Sequence, residues 1–370
     1  MVGKQLAHRQ SDRGYVWLAG ELRAAIAAGT IPAGDSLPPT RQLGAEHGVS
    51  PETARRAVKE LEAEGLVTSE PRHGCRVQAR ANDPDRGLPV AFVVSEAEEM
   101  GLWDAFHRLL FAGLQKAAGD RGWSLLAVGV GGRSGRQVME QLRDCRACGM
   151  VLDSMNADLL EAVGKMGLPA VMMDAWEPEM RLDAVVQDSF QGTLLATRHL
   201  IGRGHRRIAW LGPASQSVQS RERFGGFCAG LVGAGLEPEP AFMRDTPWPE
   251  VPETARALLA RSDRPTAVLG MWYGAVAALV QAAAELGLAS GRDVEIAGWT
   301  CDEEYDGAYR ALFGGAPPPL TMVWSVAELA RLTVARLAER RLKPAMPPAL
   351  IKVPARLRLP EQPWQEEKKQ

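Results

Sequence analysis

Residues 36–77 read SLPPTRQLGAEHGVSPETARRAVKELEAEGLVTSEPRHGCRV, and the order of stops and apolar positions in this stretch spells helix, tight turn, helix and β-hairpin. Pro38 and Pro39 open a short helix whose apolar side carries Leu43 and Ala45, and Gly48 supplies the corner that stops it. Val49 then packs inward. Ser50 can cap the next helix with its hydroxyl, and Pro51 takes the first helical position, where a missing N–H costs nothing. Along that helix Ala54, Val58 and Leu61 recur at helical spacing as the buried stripe. Glu52, Thr53, Arg55, Arg56 and Lys59 fall on the opposite side, the side expected to face a major groove. Gly65 ends the helix, Leu66 and Val67 begin a strand, and Arg72-His73-Gly74 turns into Cys75-Arg76-Val77. A two-stranded wing with a basic tip of this kind reaches phosphates or a minor groove. Upstream, Leu18, Leu22, Ala25 and Ile26 form an amphipathic first helix ending at Gly29.

Residues 14–77 resemble the winged helix-turn-helix of the GntR family. The resemblance rests on the A-x-G-T-I-x-x-G-D-x-L-P run, Arg41 after it, the G-V-S turn, Thr53 and Arg55, and L-E-x-E-G-L-V before the wing. It implies DNA contacts from Arg41, Ser50, Thr53, Arg55, His73 and Gly74, and we add their neighbours Thr40, Pro51, Glu52, Arg56 and Arg72 to the DNA-binding set. The chain departs from the family at Pro51, where relatives often carry an arginine that reads base edges. Readout then shifts to Glu52, suited to cytosine N4, and to Arg55, suited to guanine O6 and N7. The plainer reading of Arg55, Arg56 and Lys59 is a solvated helix face.

With 370 residues the chain is too long for this module alone, and a larger second domain is expected. The first 80 residues hold 11 Lys and Arg against 9 Asp and Glu, leaving 32 against 36 for the rest. Affinity for DNA therefore has to come from local placement of charge. The start MVGKQLAHRQ has no apolar core segment and no run approaches the ~18 apolar residues of a membrane span, so a cytoplasmic protein with no membrane partner is expected. Among five cysteines only Cys145-x-x-Cys148 is closely spaced; without a second such pair or a nearby histidine, it reads as ordinary thiols, and no metal is expected.

Residues 79–89, ARANDPDRGLP, lack periodicity and read as a linker after a head of residues 1–78. Beyond it, strand-like runs at 90–94, 125–128, 150–152, 170–173, 184–186, 208–211, 267–269 and 294–297 alternate with helical segments at 103–120, 136–143, 190–201, 222–234, 253–260 and 275–286. Such alternation builds parallel sheets flanked by helices. The fold class expected is a small α+β head followed by a two-lobed α/β domain over 90–360, with a polar tail at 361–370. A ligand is expected in the cleft between lobes.

This second domain resembles the effector-binding half of the lac-repressor family and the type I periplasmic binding proteins. The carrying stretches are AVVQDSFQG at 184–192, HLIGRGHRRIAWLGP at 199–213, SRERFGGF at 220–227, PTAVLG at 265–270 and PPLTMV at 318–323. The resemblance implies that lobe one holds about 90–189 plus 325–342 and lobe two about 190–322 plus 343–360. It also implies that Arg223 grips effector hydroxyls or a carboxylate through its donor fork and that Trp248 stacks on an apolar ligand face. The effector-binding set is completed by Ser95, Trp103, Trp272, Tyr273, Trp299, Thr300 and Ser325. For any single tryptophan, core packing is as good a reading as ligand contact, and Trp123 and Trp210 read as core. In Gly204-His205-Arg206-Arg207 the basic residues are expected to face water.

The chain departs from the family where relatives place Asn-Asp and Asp; here Trp272-Tyr273 and Gly298-Trp299-Thr300-Cys301 stand instead. A less polar, aromatic or modified sugar is one consequence, a vestigial pocket another. Residues 129–135, GVGGRSG, could cradle a phosphate but lack the partner residues of a nucleotide site and read as a strand-to-helix turn. The expected function is a homodimeric transcription regulator, a repressor by family analogy, binding a double-stranded DNA operator under control of a small-molecule effector, with no cofactor and no catalytic residues. Two alternatives stay open: a catalytic C-terminal domain, for which no Schiff-base lysine, Ser-His-Asp order or HExxH is found, and an architectural DNA binder.

Overall fold

The computed structural model describes residues 2–27, 30–32, 34–70, 74–78, 88–94, 105–153, 157–176, 181–243, 245–314 and 318–359. The head runs α1 (Val2–Ala27), β1 (Ser36–Leu37), α2 (Thr40–His47), α3 (Pro51–Ala63), β2 (Val67–Glu70) and β3 (Gly74–Val77). Strand β3 pairs antiparallel with both β2 and β1, giving the sheet order β1-β3-β2. Leu18, Leu22, Leu37, Leu43, Ala54, Ala57, Leu61, Leu66 and Val77 form its core. The Ser50 hydroxyl accepts a hydrogen bond from the Thr53 N–H at 3.1 Å, so α3 starts as its sequence dictates, with Pro51 behind the cap.

Two details of the head differ from the sequence reading. Ala45 is exposed, and Gly44 takes the inner face of α2. A Cβ on Gly44 would lie 2.8 Å from the Val49 carbonyl oxygen, so the absence of a side chain is what lets the turn close against the helix.

The rest of the described chain runs β4 (Pro89–Val94), α4 (Ala105–Gly119), β5 (Ser124–Gly129), α5 (Gly135–Asp144), β6 (Gly149–Asp153), α6 (Ala157–Met166), β7 (Ala170–Met173), β8 (Asp183–Gln187), α7 (Ser189–Gly202), β9 (Ile208–Leu211) and α8 (Val218–Val232). It continues with α9 (Val251–Leu259), β10 (Ala267–Gly270), α10 (Tyr273–Glu285), β11 (Glu295–Cys301), α11 (Asp302–Glu304), β12 (Thr321–Trp324), α12 (Val326–Leu342), β13 (Leu350–Val353) and β14 (Arg356–Arg358). Strands and helices mostly alternate, and β4, β6, β7, β8, β9, β10, β11 and β12 are almost wholly buried, as in sheets covered by helices on both faces.

The chain divides into two compact units, Met1–Val171 with Ala330–Pro347, and Met172–Leu329 with Pro348–Gln370. In the first, β4 pairs in parallel with β5 on one side and β6 on the other, and Val90 to Val93 are completely buried. The glycine-rich segment between β5 and α5 is a turn. Gly131 and Gly132 have φ of 39° and 65°, Ser134 and Gln137 form a capping box, and the Gly135 N–H already donates to Asp158 Oδ2 at 2.9 Å.

In the second unit β9, β10, β11 and β12 are parallel and β14 closes the sheet antiparallel, in the order β14-β12-β11-β10-β9. Strand β13 pairs in parallel with β8. Leu211, Val268, Ile296 and Val323 from the sheet pack against Leu258 and Leu279 from α9 and α10. His205 does not face water as the sequence suggested. It is buried, with Nδ1 2.9 Å from Thr266 Oγ1 and Nε2 2.7 Å from Glu295 Oε2, while Arg206 and Arg207 are exposed. Burial of Glu295 explains this, since the carboxylate needs partners and takes His205 and Arg203.

Candidate functional site

The outward edge of α3 carries Pro51, Glu52, Arg55 and Lys59, all exposed. Arg55 Nη1 donates to Glu52 Oε2 at 2.8 Å, one turn of helix apart. Arg41 is exposed on α2 beside the half-buried Thr40, and Gly74 opens β3 with a φ of 84°. Arg72 and His73 lie outside the described residues.

Two members of the expected DNA face are drawn inward. Thr53 is 6% exposed, its Oγ1 lies 2.8 Å from Ser50 Oγ, and Gly14 leaves room for its methyl group; it belongs to the buried side of α3, not the outward one. The position falls one turn from Ala57 on the inner face, so helical period overrides the polar side chain. Arg56 is half-buried with its guanidinium 4.4 Å from the Tyr15 ring centroid, a cation–π contact that ties α3 to α1.

The second constellation lies in the second compact unit, at the ends of β8 and β10, the middle of β11 and the first turns of α8. Ser217 caps α8 by accepting from the Ser220 N–H, and the helix carries Arg223 inward to 2% exposure. Arg223 Nη1 donates to the Met271 carbonyl at 2.7 Å, and Nη2 donates to Gln187 Oε1 at 2.6 Å. The guanidinium lies 4.2 Å from the Trp299 ring and 4.9 Å from the Trp272 ring. Trp299 Nε1 also donates to Gln187 Oε1, at 2.6 Å. The Gln187 amide nitrogen donates to both oxygens of Asp174, at 2.9 and 3.0 Å. Asp174 has a φ of 55° and its backbone carbonyl accepts from Gln219 Nε2.

Burial pulls the Arg223 guanidinium down to about 9, while the charges of Asp174 and Glu222 oppose the shift, so it keeps its proton at neutral pH. Glu222 does not pair with Arg223; it accepts from Lys352 Nζ at 2.8 Å. Arg223 Nε is buried and has no hydrogen-bond partner among the described residues. Gln187 and Asp174 were not candidates from the sequence.

The remaining candidates separate. Trp248 is 39% exposed and its ring would stand 3.8 Å from a Cβ on Gly274, which places it beside the start of α10 near Trp272 and Tyr273. Tyr273 is half-buried against Tyr309. Thr300 is 1% exposed and its Oγ1 has no hydrogen-bond partner among the described residues, and Ser325 serves as a helix cap, accepting from the Glu328 N–H. Ser95 and Trp103 lie outside the described residues. Trp123 and Trp210 are buried, as the sequence indicated.

Comparison with known proteins gives two family matches. Residues 15–77 match the bacterial regulatory proteins of the gntR family, and residues 90–302 match the periplasmic binding proteins and sugar binding domain of the LacI family. The regulator CelR of Thermobifida fusca is 29% identical over 317 residues, covering 82% of this chain and 87% of that protein. The repressor PurR of Photobacterium profundum is 28% identical over 202 residues, 52% of this chain and 60% of its own length, and the chain spans about half the length of further curated relatives. A solved structure described as a transcriptional regulator CelR–cellobiose complex superposes with a TM-score of 0.64 at 22% identity, covering 88% of this chain and 99% of the other, a likeness of fold.

Proposed function

Since the chain belongs to the periplasmic binding protein and LacI sugar-binding family and carries a GntR-type head, we propose that it is a DNA-binding transcription repressor controlled by a small sugar-like effector. The observation that carries the reading is the capped helix α3, whose apolar stripe is buried while Glu52 and Arg55 stand at its outward edge. That arrangement fits a major groove, with Arg55 on a guanine and Glu52 on a neighbouring cytosine. Two copies of the chain would read the two halves of a near-palindromic operator.

The cluster around Arg223 supports the effector half of the proposal, because a buried guanidinium faced by indole rings offers directional donors within an apolar lining. A coupling of only ~1–3 kcal/mol between effector and operator binding suffices to switch occupancy. The protein is placed by this reading in the cytoplasm, with the DNA. No described helix is long and apolar enough to cross a membrane.

The test is selection of operator sequences from random duplex DNA with the intact chain. Arg55→Ala is expected to cost ~1–3 kcal/mol in operator affinity and relax the preference at one base pair. An operator profile unchanged by this substitution would remove α3 from the reading role. Thermal shift with a panel that includes cellobiose and other neutral sugars tests the effector half in parallel.

A further inference from the structure

Two donors converge on one oxygen in the second unit: Arg223 Nη2 and Trp299 Nε1 each reach Gln187 Oε1 at 2.6 Å. The same amide turns its nitrogen to the Asp174 carboxylate at 2.9 and 3.0 Å. This orientation is fixed by chemistry. The reversed amide would point N–H groups at two donors and an oxygen at an anion. The cluster therefore offers a row of two donors beside an acceptor, and a single side chain satisfies both.

We propose that the Gln187 carboxamide occupies, in the chain alone, the place of an effector that presents an acceptor and a donor side by side. A vicinal diol of a sugar and a carboxamide both have this pattern, one oxygen accepting from Arg223 and Trp299 while an adjacent O–H or N–H donates to Asp174. A ligand carboxylate does not, because its second oxygen would face the Asp174 anion. Arg223 Nε, buried and without a hydrogen-bond partner among the described residues, leaves one further donor for such a ligand. Gln187 then acts as a built-in competitor that sets effector affinity and selectivity. The inference rests on the reading of Arg223 as the effector anchor.

The experiment uses the intact chain with Gln187→Ala and Gln187→Asn; the first lacks the whole acetamide-sized end group, and the second keeps an amide one carbon too short to reach. Acetamide, sodium acetate and D-glucose are titrated against each, with tryptophan fluorescence and melting temperature as readouts. The expected result is binding of acetamide or glucose at least tenfold tighter in the variants than in the parent chain, with acetate weaker than both, and loss of that gain when Arg223→Met is added. A gain with acetamide identifies the amide form of the pattern, and a gain with glucose the diol form. Acetate binding as well as acetamide, or no gain in either variant, overturns the proposal. Operator affinity is measured on the same samples. Probe binding that leaves the operator complex untouched would defeat the regulatory reading of the cluster while the occupancy by Gln187 stands.

Discussion

Gly298 has no room for a side chain. A Cβ there would lie 1.8 Å from Tyr309 Oη and 3.1 Å from Val276 Cγ2, deep in the core of the second unit. Gly298→Ala is therefore expected to destabilise by ~1–3 kcal/mol, the range for overpacking. Among the described residues the Tyr309 hydroxyl accepts a long contact from Thr321, at 3.4 Å, so adding Tyr309→Phe should recover at least half of that loss. Urea unfolding of the four chains measures the coupling, and simple addition of two losses would show that the hydroxyl is not the obstacle. His199 gives a second prediction at this scale. Burial first, then the Arg203 charge, holds its imidazole below the usual 6.5, with Glu295 opposing. The unfolded chain binds this proton more readily, so the stabilisation is present above about pH 6.5 and is lost as pH falls. His199→Gln should flatten the fall of stability as pH drops below about 6.5, and equal slopes in both chains would acquit His199. Residues of distinctive chemistry, Arg223 and Trp299, could be singled out from the sequence. Gln187 and Asp174 could not, because Gln187 at the end of β8 meets Arg223 on α8 only across 36 residues of chain, and Asp174 joins the cluster through Gln187.

Helices α7 and α8 pack through glycine. A Cβ on Gly226 would stand 2.3 Å from the Phe190 carbonyl oxygen and 3.1 Å from the Leu194 nitrogen, and one on Gly230 would stand 2.7 Å from Thr197 Cβ. The two glycines are four apart and share one helical face, so they form the groove that brings the backbones together. Gly226→Ala meets main chain, which cannot swing aside, and should cost ~1–3 kcal/mol with separation of the two helices. Gly202→Ala, at the end of α7 with open space around it, should be neutral or stabilise by up to ~1 kcal/mol through helix propensity. Thermal unfolding compares them, and equal effects would deny the close-packing role. Elements of this size were legible where burial was complete. Ala170–Met173 and Ile208–Leu211 coincide with the sequence reading because an apolar run bounded by breakers has few other fates. Strands β13 and β14 were not, since LIKV and RLR are short and partly exposed. Strand β1 has only two residues and exists through its pairing with β3.

At the scale of the whole molecule the chain keeps separate cores. The head buries Leu18, Leu43, Leu61 and Val77 among themselves, while Leu211, Val268, Ile296 and Val323 belong to a cluster drawn from another part of the sequence. That separation was readable in the break of pattern at residues 79–89, and the two family matches, 15–77 and 90–302, fall on either side of it. A local fault in the head should therefore stay local. Gly44 is the place to make one, because a Cβ 2.8 Å from the Val49 carbonyl and 3.4 Å from the Pro51 nitrogen pries α2 from the start of α3. Gly44→Ala is expected to weaken operator binding at least tenfold, about 1.4 kcal/mol, by displacing Arg41 relative to Arg55. Calorimetry of the intact chain should show the transition of the head moving down while that of the α/β portion stays in place. A single transition shifting as one block would mean that the cores unfold together, and the independence inferred from their composition would fall.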